Sequence, residues 1–239
     1  MSIAVIAVLI GILTPSLSSV QETGRRVACQ SNLRQMALGV SMYADANRML
    51  LPASIFIADT FVSPSGPITR DPGMPAEMMS LRIASQVISP NARAVWDGLG
   101  LLYAQDYLPA AKVFYCPSHD GEHPFNRYVD SFRNERDVIY GNYQYRGMGA
   151  NFAKRLDMIE PSRSALITDG LRTARDLNHA RGVNLARADL SIVWHTDPAN
   201  ELPQLLSAGR GPSSPNAVTS AWAALDDFAG DETGSGPKK

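Results

Sequence analysis

The chain has 239 residues, 45% hydrophobic and 19% charged, with a formal net charge of -1. That is room for one ordinary globular domain with extensions, and it excludes a wholly disordered chain. No block of Lys or Arg dominates, so nucleic acid is not an expected partner.

From Ile3 to Leu13 every residue is apolar or Gly. As a helix this run rises only about 17 Å, against a hydrocarbon core of about 30 Å, so alone it does not span a membrane. Three readings compete: a signal-peptide core without its basic flank, a buried core helix, or part of a longer membrane helix. The chain beyond Pro15 favours the third. Leu17, Val20, Val27, Leu33, Met36, Val40 and Tyr43 recur at helical spacing among polar residues such as Gln21, Glu22, Arg25 and Gln30. The pattern predicts one helix from residue 2 to about 48, apolar first and amphipathic later, kinked rather than ended at Pro15. The two cysteines, Cys29 and Cys116, bridge if the chain is exported and are buried thiols if it is cytosolic. The opening helix favours export.

The stretch "VIAVLIGILTPSLSSVQETGRRVACQSNLRQMALGVSMYADANRMLLPAS" resembles the N-terminal helix of type IV pilin-like proteins, above all the type II secretion pseudopilin-like group abundant in planctomycetes. In that group an apolar helix with a mid-helix Pro leads into Arg-Arg-x-x-Cys-x-x-Asn-Leu-(Arg/Lys)-Gln and then a Tyr. Pro15, Arg25, Arg26, Cys29, Asn32, Leu33, Arg34, Gln35 and Tyr43 stand at those places. The resemblance implies that Ile3, Val5, Ile6, Val8, Leu9, Ile10, Ile12, Leu13 and Pro15 form an anchor and assembly helix. The family's basic leader, cleavage-point Gly, methylated Phe and early Glu have no counterpart, so the processing site falls on no residue of this sequence.

Residues 51–110 form an irregular region, with prolines at 52, 64, 67, 72 and 75 and a short helix expected over Glu77–Val87. Leu101–Tyr103 suit a helix and Lys112–Tyr115 a strand. Gly100, Leu102, Tyr103, Tyr107, Leu108, Phe114, Cys116, Pro117 and Ser118 continue the resemblance, which implies that Cys116 pairs with Cys29. In "HDGEH", His119 and His123 sit four apart, but Pro117, Gly121 and Pro124 make the segment a loop. A solvated turn is preferred to a metal site.

"VIYGNYQYRGMG" reads as a strand and "SALITDG" as a short buried strand ending in a turn. Gly182–Ala186 and Leu190–Trp194 read as a hairpin around Arg187–Asp189. His179 and Asp189 match the pseudopilin-like group's C-terminal signature of His, nine residues, then Asp-Gly; Leu190 replaces the Gly. Because Leu resists positive φ, a changed turn is expected there. His179 and Asp189 are half of a hydrolytic constellation, but no Gly-x-Ser-x-Gly elbow accompanies them, and a hydrogen-bonding role in loop geometry is preferred. Residues 198–239 read as a flexible tail with a short helix in "AVTSAWAALDDFA". Asp226, Asp227, Asp231 and Glu232 fit no calcium-loop spacing.

The expectation is an α+β fold: a long N-terminal helix (residues 1–50, with 1–20 as anchor) packed on a small antiparallel sheet (111–197). The resemblance implies a structural filament subunit of a type II secretion or type IV pilus-like system. Its partners would be copies of itself or other pseudopilins, the bacterial inner membrane and the assembly machinery. The globular part would be periplasmic, with no cofactor and no catalysis. The rivals are a membrane-tethered binding module that does not polymerise and, third, a periplasmic hydrolase.

Overall fold

A computed structural model describes residues 2–57, 60–63, 66–69, 73–83, 94–134 and 137–228, with the side chains of 19–57, 73–83, 94–134 and 137–226 among them. Ser2–Ala46 form one helix, α1, which continues through Pro15. At 1.5 Å per residue it is about 68 Å long. The side chains of Ile3, Val5, Ile6, Val8, Leu9, Ile10, Ile12, Leu13 and Pro15 lie outside the described residues. Among the described residues no helix is long and apolar enough to cross a membrane.

From Ser19 to Ala28 α1 is mostly exposed, and Val20 and Val27 keep 66% and 57% of their surface. Its buried stripe starts at Cys29 and continues through Leu33, Met36, Ala37, Val40, Tyr43 and Ala44, steps of three and four that place one face on the domain. Arg48 and Met49 take positive φ, and the Met49 N–H returns to the Ala44 carbonyl at 2.8 Å, which closes the helix in a left-handed cap.

The remaining elements are β1 (Thr60–Ser63), β2 (Gly66–Thr69), β3 (Ser80–Ile83), β4 (Val95–Trp96), α2 (Gly100–Ala104), β5 (Ile139–Tyr140), β6 (Tyr143–Tyr145), β7 (Ala165–Asp169), β8 (Gly182–Arg187), β9 (Ile192–Thr196), α3 (Glu201–Leu205) and α4 (Pro215–Phe228). They make a β1–β2 hairpin, a three-stranded sheet in the order β4-β3-β5, and a four-stranded sheet in the order β6-β7-β8-β9, antiparallel throughout. The fold is α+β, with α1 against one face of the four-stranded sheet.

Several local expectations are corrected. Lys112–Tyr115 is not a strand: Ala111–Phe114 turn as a 3-10 helix. The helix expected over Glu77–Val87 is a 3-10 turn at Pro75–Glu77 followed by β3, and residues 84–87 lie outside the described residues. The Tyr-rich strand is split between two sheets. Gly141 and Asn142 leave the ladder to donate to the Met79 and Phe114 carbonyls, and a Cβ on Gly141 would sit 3.0 Å from the Phe114 oxygen.

The largest correction is at the C-terminus. Residues 201–228 are not a loose tail, since α3 and α4 cover the other face of the four-stranded sheet. Val183 and Leu185 of β8 point to that side and meet Leu202, Leu206, Val218, Ala221, Trp222 and Leu225. Ala186 points to the α1 side. Asp226 anchors α4: it takes Arg146 at 2.6 Å and the Ala165 N–H at 3.0 Å. Trp222 is 3% exposed, so Trp222→Ala lowers stability by about 3–5 kcal/mol. Denaturant unfolding reads this; a true tail would give no change. The sequence after Phe228 lies outside the described residues.

Candidate functional site

The site lies where α1 emerges from the domain. Cys29 on α1 and Cys116, just past the 3-10 turn, form a disulfide with Cα atoms 5.3 Å apart. Both residues are buried. Asn32, one turn after Cys29, donates to the Tyr115 carbonyl at 3.0 Å and to the Tyr143 hydroxyl at 3.3 Å. Arg26, one turn before it, lies over the Trp194 ring at 4.5 Å. The Arg-x-x-Cys-x-x-Asn spacing therefore puts three contacts with the domain along one helix face.

His179 closes the site from the loop before β8. Its ring is buried, with Nδ1 2.6 Å from Glu22 Oε1 and Nε2 3.1 Å from Asn184 Nδ2 and 3.7 Å from Cys116 Sγ. A carboxylate accepts only, so Nδ1 carries the proton and Nε2 accepts from Asn184 Nδ2, with the disulfide sulfur in contact beside it. Glu22 also accepts from the Ser118 hydroxyl at 3.0 Å. Cys116 Sγ takes the Ser118 N–H at 3.4 Å.

Asp169, at the end of β7, is fully buried. It accepts from Asn178 Nδ2 and from the Asn184 N–H, each at 2.9 Å. Burial raises its carboxyl above the usual range, opposed by His179 and by these two hydrogen bonds. Asn178 and Asn142 carry the network on: Asn178 Nδ2 donates to the Asn142 carbonyl, and Asn142 Oδ1 accepts the Cys116 N–H. Cys29, Cys116, Asp169 and His179 bring their ligand-type atoms within 4.8 Å of one another.

His179 and Asp189 do not meet. His179 precedes β8, while Asp189 lies exposed in the turn beyond its far end, where its carboxylate accepts the Ser191 N–H at 2.9 Å. The carboxylate on His179 is Glu22, 157 residues away in sequence. Leu190 departs from expectation: it adopts φ +68°. The turn keeps the left-handed residue that Gly would occupy, at a cost of about 1–2 kcal/mol. The Leu190 N–H bond to Arg187 at 3.0 Å and packing against the main core offset that cost.

His119 and His123 do not converge on one point. His119 Nδ1 pairs with Asn178 Oδ1 at 2.8 Å, and His123 Nδ1 with the Tyr128 hydroxyl at 2.6 Å. Burial, then the Arg172, Arg127 and His119 charges, push His123 down to about 4. Its folded value lies below its unfolded one, so stability is lost as pH falls from about 6.5 to about 4, by about 3 kcal/mol in total. His123→Gln should flatten that part of a stability-against-pH curve; an unchanged slope contradicts this assignment.

A separate cleft of about 530 Å³ lies beside β4, lined by Trp96, Tyr103, Phe132, Arg133 and Asn134. Buried Arg82 stacks on Trp96 at 4.9 Å and donates to the Ser131 and Asp137 carbonyls.

A family model described as "Protein of unknown function (DUF1559)" matches residues 18–164. No curated protein and no solved structure matches the chain.

Proposed function

We propose, for a chain that belongs to the DUF1559 family of proteins of unknown function, a structural role as a pilin- or pseudopilin-like subunit. The observation that carries this reading is α1. It is a single rod, and among its described side chains burial against the domain begins at Cys29, with Glu22 and Arg26 in contact with the domain before it and Val20 and Val27 exposed. A helix that continues past its domain buries its free part in something else, either lipid or the helices of neighbouring copies. Head-to-tail repetition of one heterologous contact then builds a filament. The inner membrane anchors the subunit before assembly, the domain faces the periplasm, and a secretion or pilus machinery draws subunits into the filament. The role needs no catalytic step. The Cys29–Cys116 bond and the Glu22–His179 contact suit it, because they fix the angle at which the rod leaves the domain.

Single cysteines placed along residues 3–20, such as Val8→Cys or Leu17→Cys, test this in cells. Crosslinked ladders of subunits are expected. A membrane-bound monomer that crosslinks only at background level overturns the filament. That outcome supports the second reading, a tethered binding module, which the aromatic and arginine-lined cleft near Trp96 favours.

A further inference from the structure

The buried group around the disulfide has a second use. Cys29, Cys116, His179 and Asp169 come from four separated places in the chain, yet their ligand-type atoms lie within 4.8 Å of one another. We propose that, with its cysteines reduced, this protein holds one zinc-class cation on Cys29 Sγ, Cys116 Sγ, His179 Nε2 and an Asp169 oxygen. The proposal rests on these residues and not on the filament reading.

Thiolate, imidazole and carboxylate are all zinc ligands, and four of them from the protein would leave no open position. The geometry needs little change. A zinc tetrahedron has a sulfur–nitrogen edge of about 3.6 Å and a sulfur–sulfur edge of about 3.8 Å. Cys116 Sγ and His179 Nε2 are already 3.7 Å apart. The two sulfurs need only separate by side-chain rotation, with Cα atoms 5.3 Å apart.

Two further observations point to a ligand. The His179 tautomer is the one that binds metal: Glu22 fixes the proton on Nδ1 and leaves the lone pair on Nε2, where a cation would replace the Asn184 amide that now donates to it, the carboxylate–histidine arrangement seen behind metal ligands. Asp169 is a fully buried carboxylate whose described hydrogen-bond donors are both uncharged amide N–H groups. Buried carboxylates are ordinarily compensated by a cation or a metal. Beside it, fully buried Asn184 keeps an Oδ1 without a hydrogen-bond partner.

The disulfide and the metal are alternatives. A phosphine reduces the bond with one water: the sulfurs become two thiols and the phosphine becomes its oxide. Metal binding then releases both thiol protons. In a reducing compartment the cation ties α1 to the loop at Cys116. In an oxidising one the disulfide makes the same tie.

Cobalt(II) tests the site. The full chain is refolded with a phosphine and titrated with cobalt, and absorption and circular dichroism are followed together. The expected result is one equivalent bound, with thiolate-to-cobalt charge transfer and the intense visible bands of a tetrahedral ion, whether the apo form is folded or folds on binding. The oxidised chain should show none of these bands. Glu22→Gln should weaken binding about 10–100-fold without removing a ligand. His179→Ala and Asp169→Asn should shift the bands or abolish them. Absence of tetrahedral bands in the reduced chain, or bands unchanged in both of those variants, overturns the proposal.

Discussion

Removing the Cys29–Cys116 bond, as Cys29→Ala with Cys116→Ala, is expected to lower the stability of the oxidised protein by about 4 kcal/mol. The residues are 87 apart in sequence. Releasing a loop of that size returns about that much conformational freedom to the unfolded chain. The paired substitution avoids leaving a free thiol beside His179. The effect is also local. Before Cys29, the described contacts of α1 with the domain are those of Glu22 with Ser118 and His179, and of Arg26 with Trp194. Without the bond, amide exchange along residues 19–29 should rise well above that of 33–44, where Leu33, Met36 and Val40 remain buried. Denaturant unfolding and exchange mass spectrometry read the two effects. A loss under 1 kcal/mol, with exchange unchanged, would show that packing alone holds the rod.

Whatever spacing encodes was legible before the structure. The helical recurrence of Leu33, Met36, Val40 and Tyr43 placed α1 and its buried face, and "SALITDG" at 164–170 placed β7. Elements defined by long-range burial were not legible. Val113, Phe114 and Tyr115 are buried consecutively, and an apolar run that short does not separate a strand from a helical turn. The misjudged C-terminal segment did have a signal. Every residue of β7 is buried, which requires cover on both faces of the sheet. α1 supplies one cover, so another element must supply the second, and "AVTSAWAALDDFA" had the apolar stripe to do so.

The site shows the same limit. Cys29, Cys116 and His179 drew attention through a resemblance. Glu22 read as one polar residue on an exposed helix face, and Asp169 as part of an Asp-Gly turn. Nothing local marks either one, because Glu22 reaches its imidazole across 157 residues. The signature partner of His179 proved to be a turn residue: Asp189 shapes the hairpin end through Ser191, and His179 serves the helix junction. One strand, β8, separates these two tasks.

Asp169→Ala carries the second large effect. The carboxylate satisfies the Asn184 N–H and the Asn178 amide, both in a fully or nearly fully buried setting. Alanine leaves the Asn184 N–H and one of the two Asn178 amide hydrogens without an acceptor, and each buried unpaired donor costs about 1–3 kcal/mol, so the expected loss is about 2–6 kcal/mol. Asp169→Asn keeps one acceptor but sets its own NH₂ against a donor. Asn178 cannot turn to help, because its Nδ2 is held by the Asn142 carbonyl and its Oδ1 by His119. The loss should be smaller, about 1–3 kcal/mol. The pH dependence separates these terms. Burial holds the Asp169 carboxyl above its ordinary value in the fold. The native protein therefore favours the protonated form and loses that stabilisation as pH rises through the folded value. Asparagine does not titrate, so the gap between Asp169→Asn and the parent should be widest in acid and narrow toward neutral pH. Unfolding curves at a series of pH values measure it. A gap that widens with pH would mean that the two amide donors outweigh burial and that the junction prefers Asp169 charged.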